Sequence, residues 1–188
     1  METILEKIRD DQFNQSNLRL PLRGSISTGR VVAISISKKK GIPKTNVQSA
    51  KLIENFGIEG DVHAGNWHRQ ISFLAIESID RMRAKGLPKL RPGAFAENIT
   101  TEFLTLPEIE VGTRIKIGKK TELEITQIGK ECHSKCAIFF KVGDCVMPRE
   151  GIFAKVIRGG EIFVGDAIEI INHEETQSSS QSHTKVSW

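Results

Sequence analysis

All cysteines of the chain fall in one short segment, and Cys132 has the neighbours of a reactive thiol. Lys130 and His133 lie close to it in the sequence. Positive groups beside a thiol favour the thiolate, which is the form that acts as nucleophile and metal ligand. The same polar neighbours disfavour burial of Cys132 as a small apolar residue, which is the usual role of a free cysteine. We therefore predict that Cys132 is the catalytic or metal-binding group, with Lys130 and His133 stabilising its anion.

The other cysteines, Cys136 and Cys145, have more apolar surroundings. If the segment is helical, the four-residue separation places Cys136 on the same side as Cys132, which suits a resolving thiol or a second ligand. Cys145 is predicted to be structural. A zinc site built from the three cysteines and His133 is disfavoured, because the spacing lacks the close Cys-x2-Cys pair that such sites usually show.

A glycine-rich segment from Gly57 to Arg69 contains a second group of candidate residues. Its glycines allow the backbone to turn tightly and to approach a ligand closely. His63, His68 and Arg69 could then hold an anionic group such as a phosphate, because a guanidinium offers several donors in one plane. The alternative is a structural loop in which Asp61 caps a turn and Trp67 covers the edge of the core.

Two later segments add candidates for binding a cofactor. A glycine turn after Pro92 precedes Glu97 and Asn98 at the start of a predicted strand. The Asn98 amide has both donors and an acceptor, which suits the edge of a pterin or purine ring, although it could equally stabilise the turn. Arg149 precedes another predicted strand and is a candidate anion contact, whereas Arg158 is predicted to lie on the surface of a turn.

Length and composition limit the kind of protein that presents these residues. The chain has 188 residues, of which 38% are hydrophobic and 27% charged, so we expect one globular domain rather than a disordered or fibrous chain. No apolar run approaches the roughly 20 residues that cross a bilayer. The N-terminus is acidic where a signal peptide would be apolar, and we expect a soluble, cytoplasmic protein. The net charge of +4 is dispersed, which disfavours nucleic acid and fits small anionic ligands.

The predicted elements that position these residues are mostly strands. Short β-branched runs bounded by turn residues predict a closed or sandwiched β architecture, and one helix is predicted from Ala75 to Lys85. The domain is predicted over 25–172, between an N-terminal extension over 1–24 and a polar, disordered tail over 173–188. The predicted strands are Arg30–Ser37, Gln70–Ala75, Ala96–Thr101, Arg114–Ile117, Leu123–Ile128, Ile152–Ile157 and Ala167–Ile171.

Two segments, which begin at Val111 and Val164, share the pattern Val-Gly-polar-x-Ile-x-Ile. Each predicts a tight glycine turn that leads into a half-buried strand. Barrels use this arrangement to enter the sheet at a fixed register. The repeat therefore predicts architecture and not chemistry.

Taken in order along the chain, these motifs resemble a MOSC domain, a family named for the C-terminal domain of molybdenum cofactor sulfurases. The resemblance covers roughly Ser25 to Ile171. It implies a mostly β fold with minor α content, built around a closed, strongly curved β-barrel similar to the β-barrel domain of pyruvate kinase. The motifs that carry it are Gly57-x-x-Gly60-Asp61-x-His63, Gly93-x-x-x-Glu97-Asn98-Ile99, Val111-Gly112, the loop cysteine Cys132, Gly151-x-x-x-Lys155-Val156-Ile157 and Val164-Gly165-Asp166.

The resemblance also implies a function for the cysteine. MOSC domains carry one cysteine in a pocket, which accepts sulfur as a persulfide from pyridoxal-phosphate-dependent cysteine desulfurases. In relatives that reduce N-hydroxylated compounds, the cysteine is instead a ligand of molybdenum in the pterin cofactor. By position this cysteine matches Cys132. The sequence departs from common relatives by Glu131 in place of a frequent proline and by the additional Cys136, which leaves molybdenum binding and sulfur transfer both open.

The implied cofactor is the molybdenum cofactor, molybdopterin, with its anionic phosphate and ring held by Arg69, Asn98 and Arg149. The chain is too short for a pyridoxal-phosphate domain beside the barrel, so a cysteine desulfurase or a molybdenum-cofactor enzyme would be a separate partner. The implied activity is that of a reductase or a sulfurtransferase. The alternative is a non-catalytic barrel that binds an anionic ligand or a partner protein, with incidental cysteines. The sequence leaves the oligomeric state open.

Overall fold

A computed structural model gives the fold over residues 28–40, 42, 44–130 and 135–171. The predicted N-terminal extension and C-terminal tail lie outside these described residues, as do the candidate site residues Cys132 and His133. The limits of the predicted domain therefore stay a prediction.

Strands dominate the described part of the chain, as predicted. The strands are β1 (Thr28–Ile36), β2 (Thr45–Val47), β3 (Ser49–Ile53), β4 (Gly57–Ile58), β5 (Ile71–Ala75), β6 (Ile99–Glu102), β7 (Arg114–Ile117), β8 (Thr121–Ile128), β9 (Ile152–Arg158), β10 (Gly160–Phe163) and β11 (Ala167–Ile171). The helices are α1 (Ile76–Ala84), α2 (Ala137–Val142) and α3 (Met147–Glu150), and a 3-10 turn spans Leu106–Glu108. None of the helices in the described ranges is long and apolar enough to cross a bilayer.

Seven of these strands form a closed barrel. The order around it is β1, β11, β7, β8, β9, β5 and β6, and β6 pairs with β1 to complete the ring. Neighbouring strands in the barrel are antiparallel except for β5 and β6, which are parallel. Strand β2 pairs with the end of β1, and β10, β3 and β4 form a separate three-stranded sheet. The predicted closed β architecture is confirmed.

The segments predicted as strands are the strands of the barrel, with end points that differ by a few residues. Buried and half-buried side chains alternate along β7 and along most of β8, so a period of two is visible in the sequence. Each large side chain removed from water in this way contributes about 1.5–3 kcal/mol. The barrel core contains Val31, Ile34, Ile71, Phe73, Ile99, Ile115, Ile117, Leu123, Ile125, Ile152, Ala154, Val156 and Ile168.

Strand β5 is covered on both faces, and it connects the barrel core to the outer side where the candidate site lies. All five of its residues are buried. Ile71 and Phe73 belong to the barrel core, while Leu74 belongs to a second apolar cluster outside the barrel. Helix α1 adds Ile79 and Met82 to that second cluster. The helix predicted here from apolar spacing is confirmed as α1.

The repeated Val-Gly pattern also has the predicted structure. Gly112 and Gly165 have φ values of 92° and 95°, a left-handed conformation that glycine adopts readily. They precede β7 and β11, which pair with each other so that Ile115 lies opposite Ile170. The two copies of the pattern are therefore neighbouring strands of the barrel.

Candidate functional site

A polar cavity of about 110 Å³ lies on the outer side of the barrel beside β5 and β9. Ser72 of β5 and Phe153 of β9 are cross-strand partners, and both alternate with residues of the barrel core. Because successive side chains of a strand point to opposite faces, both point away from the barrel interior. The cavity is lined by Lys44, His63, Trp67, Arg69, Ser72, Ala96, Asn98, Lys130 and Phe153.

Arg69 is the most unusual residue of this polar cavity. Its guanidinium carbon lies 5.0 Å from the centre of the Trp67 ring and 5.8 Å from the centre of the Phe153 ring. Its Nε is buried without a hydrogen-bond partner among the described residues. Buried donors in folded proteins are almost always paired. In the wall of the cavity, the aromatic rings therefore hold a guanidinium whose buried Nε donates to none of the described residues.

A buried ion pair between Lys44 and Asp61 supports the cavity from behind. Asp61 accepts hydrogen bonds from the Lys44 Nζ at 2.8 Å, from the Ser37 N–H at 3.0 Å and from the His63 N–H at 2.8 Å. Burial alone would raise the pKa of Asp61, but these donors outweigh burial, and its pKa is lowered. Burial lowers the pKa of Lys44. The prediction that Asp61 caps a turn is confirmed by its bond to the His63 N–H.

Asn98 uses both ends of its amide on the protein. Its oxygen accepts hydrogen bonds from the Ser72 hydroxyl at 2.9 Å and from the Ser72 N–H at 3.2 Å. Its nitrogen donates to the Ser35 carbonyl at 3.2 Å and to Asp61 at 3.3 Å. Asn98 therefore ties β5, β1 and the Asp61 turn together where they border the polar cavity. A direct contact with a pterin ring stays a prediction.

Glu97 is fully buried and holds the turn that precedes β6. Its carboxylate accepts hydrogen bonds from the Phe95 N–H at 3.0 Å and the Thr100 hydroxyl at 3.1 Å, and also from the Gly93 N–H. Burial raises its pKa, against the effect of these donors. Because none of its surface is exposed, Glu97 is placed to position the turn rather than to touch a ligand. The turn presents Ala96 at the cavity in a left-handed conformation, with φ 64°.

The structure brings some of the other predicted cofactor contacts to this cavity and leaves two outside it. His63 lines it, with Nδ1 3.2 Å from Asp61 Oδ1. His68 is exposed, and its Nε2 lies 3.1 Å from the Gln127 side-chain oxygen. Arg149 is also exposed and pairs with Asp144 at 2.9 Å. Neither His68 nor Arg149 is among the residues that line the polar cavity.

An apolar cavity of about 190 Å³ lies next to the polar cavity. The two cavities share Ala96 and Lys130. Cys136 is exposed at the start of α2, while Cys145 is buried in the second apolar cluster, in the apolar surroundings predicted for it. Within the described ranges, no group of three or more His, Cys, Asp or Glu side chains could hold a metal ion. The apolar cavity is lined by Ala94, Phe95, Ala96, Lys130, Cys136, Ile138, Cys145 and Met147.

Gly129 makes a close backbone contact directly before Lys130, the residue that borders both cavities. It ends β8 with a φ of 71°, and its N–H donates to the Gly151 carbonyl at 2.7 Å. A Cβ at this position would lie 2.3 Å from the Pro148 carbonyl oxygen. Only glycine fits such a close backbone approach. The strand therefore ends at this close contact, three residues before Cys132 in the sequence.

Sequence reasoning missed several residues of the polar cavity. Lys44 follows the exposed run Lys38 to Lys40, and nothing in the sequence pairs Lys44 with Asp61. Ser72 gave a usable signal, since it is a polar residue inside the apolar run of β5. Its cross-strand partner Phe153 points to the same outer face, so an outward Ser72 also implies an outward Phe153.

Comparisons with known proteins agree with this architecture. YuaD from Bacillus subtilis is 20% identical over 76% of this chain and 95% of its own, with a TM-score of 0.65. YiiM from Geobacillus stearothermophilus is 20% identical over 77% of this chain and 75% of its own, with a TM-score of 0.59. YiiM from Escherichia coli is 17% identical over 76% of this chain and 70% of its own, with a TM-score of 0.55. At these identities the similarity shows the fold alone.

No curated protein sequence matches the chain. The MOSC domain family, in contrast, matches residues 59–169, which is more than half of the 188 residues. This match includes β5 to β9, Arg69 and the cysteine segment. The resemblance inferred from the motifs is confirmed, and the chain belongs to the MOSC domain family.

Proposed function

We propose that this MOSC domain binds the phosphate-bearing end of a molybdopterin-type cofactor in the polar cavity, and that Cys132 supplies the thiolate chemistry as a metal ligand or as a sulfur carrier. The observation that carries the proposal is the Arg69 guanidinium, which lies against two aromatic rings and has a buried donor without a hydrogen-bond partner among the described residues. A phosphate oxygen is a suitable acceptor for the N–H groups of a guanidinium.

The residues of the polar cavity fit the anionic end of such a cofactor. Arg69 and Lys130 are cations without a hydrogen bond or ion pair to any described residue. Two buried carboxylates of this region are already committed, since Asp61 is paired with Lys44 and Glu97 is bonded inside its turn. A volume of about 110 Å³ suits a phosphate group rather than a whole pterin. Arg69 would therefore bind the phosphate, while His63 would offer a further donor.

Cys132 follows Lys130 by two residues, a length of chain that spans at most about 7 Å. The proposal therefore places the thiol chemistry beside the polar cavity. When bound, the molybdenum centre supplies two-electron redox chemistry, and a soft thiolate suits such a metal. The ammonium of Lys130 would favour the thiolate form of Cys132.

In the sulfur-carrier form of the proposal, the Cys132 thiolate attacks the outer sulfur of a persulfide on a separate cysteine desulfurase. A new S–S bond forms on Cys132 as the S–S bond of the donor breaks. The donor then leaves as a thiolate, and Cys132 holds the persulfide, so no outside oxidant or reductant is needed.

Metal and pterin analysis tests the proposal. The wild type, Cys132→Ser and Arg69→Ala would be purified from a host that makes molybdenum cofactor. Arg158→Ala is the matched control, since Arg158 is exposed at the end of β9 and pairs with Glu122 of β8. We expect molybdenum and pterin in the wild type and the control, and a loss of both from the two site variants.

The other outcomes divide the remaining possibilities. Absence of molybdenum from every protein, with a persulfide trapped on Cys132 of the wild type, would support the sulfur carrier alone. Absence of both molybdenum and persulfide would contradict the proposal. Inorganic phosphate binding that survives thiol alkylation but is lost in Arg69→Ala would then assign the barrel to non-catalytic binding of an anion.

A further inference from the structure

We propose that the apolar cavity binds the second reactant of this protein, and that this reactant is a small, flat, mostly apolar molecule with one negative charge. The role of this ligand as a reactant rests on the proposed function, whereas the ligand site and its chemistry are inferred from the cavity itself. The size of the cavity, the charge at its rim, its position beside the polar cavity and the packing of the bordering helix support this assignment.

The size and lining of the apolar cavity limit its ligand to about one ring. Its volume is about 190 Å³, and an apolar cavity of about 150 Å³ is known to take up benzene. Phe95, Ile138 and Met147 provide large apolar surfaces. A ring with one short substituent would fill such a space and remove these surfaces from water.

The charge at the rim selects an anion. Lys130 is exposed and has no hydrogen bond or ion pair to any described residue. Among the described residues, no carboxylate lines the cavity. Asp144, which precedes Cys145, is held by Lys85 and Arg149. Of the described residues that line the cavity, Lys130 therefore supplies the charge available to a ligand, and its ammonium would complement a carboxylate or another single negative charge.

The position of the cavity explains why its ligand would react. Ala96 and Lys130 line both this cavity and the polar cavity. Lys130 also precedes Cys132 by two residues. A molecule in the apolar cavity would therefore lie beside the anion held by Arg69 and near the proposed thiol chemistry.

Helix α2 borders the cavity, and its partly buried Ile138, Phe139 and Val142 pack against the second apolar cluster. None of its residues is fully buried. Ile138 is half-buried and lines the cavity, while Phe140 is 75% exposed. Short elements with few buried contacts open at low cost in free energy, which gives a ligand a route into the cavity.

Three probes of one size and different charge test the assignment. Benzoate, benzyl alcohol and benzylammonium would be titrated into the cofactor-free protein and followed by amide chemical shifts. We expect benzoate to bind at least five-fold more tightly than benzylammonium, with benzyl alcohol between them. The shifted amides should include those of Phe95, Ile138 and Met147. Equal affinities, or shifts confined to other regions, would overturn the proposal.

Two pairs of variants locate the binding. Ile138→Trp fills the cavity and should weaken benzoate binding at least ten-fold, whereas Phe140→Trp adds the same ring on the exposed side of α2 and should leave it unchanged. Lys130→Ala should weaken benzoate by about two- to five-fold, as expected for one partly exposed ion pair, and leave benzyl alcohol unchanged. Lys141→Ala is its matched control on α2.

Inorganic phosphate separates this inference from the proposed function. We expect phosphate to bind at Arg69 while benzoate is bound, because the two cavities are distinct. Benzoate binding without phosphate binding would contradict the proposed function and keep the ligand site. Phosphate binding without benzoate binding would overturn the inference and keep the proposed function. Full competition between the two anions would show one shared site and would also overturn the inference.

Discussion

At the scale of single residues, the shape of the Arg69 guanidinium should matter as much as its charge. Arg69→Lys retains the charge but loses the planar group that lies between Trp67 and Phe153. We expect inorganic phosphate to bind about three-fold more weakly to Arg69→Lys. For Arg69→Ala we expect a loss of about ten-fold or more, because a hydrogen bond to a charged group contributes about 1.5–3 kcal/mol. Calorimetric titration measures both constants.

Arg158→Lys and Arg158→Ala provide the controls for this comparison, because Arg158 lies on the surface and pairs with Glu122. Equal phosphate affinity in the wild type and in Arg69→Ala would remove Arg69 from the site. Equal phosphate affinity in Arg69→Lys and the wild type would show that the site recognises phosphate through the charge at this position alone.

Glu97 should make stability depend on pH in a defined direction. Its pKa is raised above the ordinary value of 4.5 by burial, so the folded state keeps this proton to a higher pH than the unfolded state. The wild type therefore loses stability from this group as pH rises above 4.5 and through the folded pKa. Glu97→Gln cannot ionise, so we expect its free energy of unfolding to approach that of the wild type as pH rises from about 4 to about 8.

Urea unfolding of both proteins across this range measures the difference. Glu161→Gln is the control, since Glu161 is exposed on β10 and its substitution should give no such trend. If the free energy of unfolding of the wild type instead rose relative to that of Glu97→Gln as pH rises, the pKa of Glu97 would not be raised.

At the scale of elements, the turn at Gly129 connects the barrel to the cysteine segment. Gly129→Ala places a Cβ 2.3 Å from the Pro148 carbonyl oxygen in a left-handed conformation that costs about 1–2 kcal/mol on its own. Gly143→Ala is a close control, because Gly143 has nearly the same φ, 70°, and open space around its Cβ. We expect Gly129→Ala to lose more stability in urea than Gly143→Ala.

The same pair of variants tests the link to the thiol. A displaced turn at Gly129 would move Lys130 and change the alkylation rate of Cys132, measured in protein that lacks the other two cysteines. Equal stabilities and equal alkylation rates in the two variants would show that the contact with Pro148 constrains neither the fold nor the thiol.

At the scale of the whole molecule, the sequence predicted the barrel and part of the site for different physical reasons. Alternation along strands such as β7 and β8 reports burial directly, so the barrel strands were recognised. Strands β2 and β4 have only three and two residues, too few to show a period of two, and helix α3 has four residues, about one helical turn. The polar cavity joins Lys44, Asp61 and Asn98 across three segments, and that proximity arises only when the barrel closes.

Closure of the barrel should also make the stability of the site depend on a residue far from it. Ile168 of β11 is fully buried in the barrel core, where β11 pairs with both β1 and β7. Ile168→Ala should lower the free energy of unfolding by about 2–5 kcal/mol, as for other large-to-small core substitutions. Val111→Ala, at a position 59% exposed, should change it by less than about 0.5 kcal/mol.

Because the strands on both sides of the polar cavity belong to the same closed ring, phosphate binding should be lost in Ile168→Ala at the same urea concentration as the barrel signal. Circular dichroism and phosphate titration at matched urea concentrations measure the two transitions. A binding transition that precedes the loss of strand signal would show that the loops of the polar cavity unfold independently of the barrel. Coincident transitions would show that closure of the sheet is what holds Arg69, Asn98 and Lys130 together.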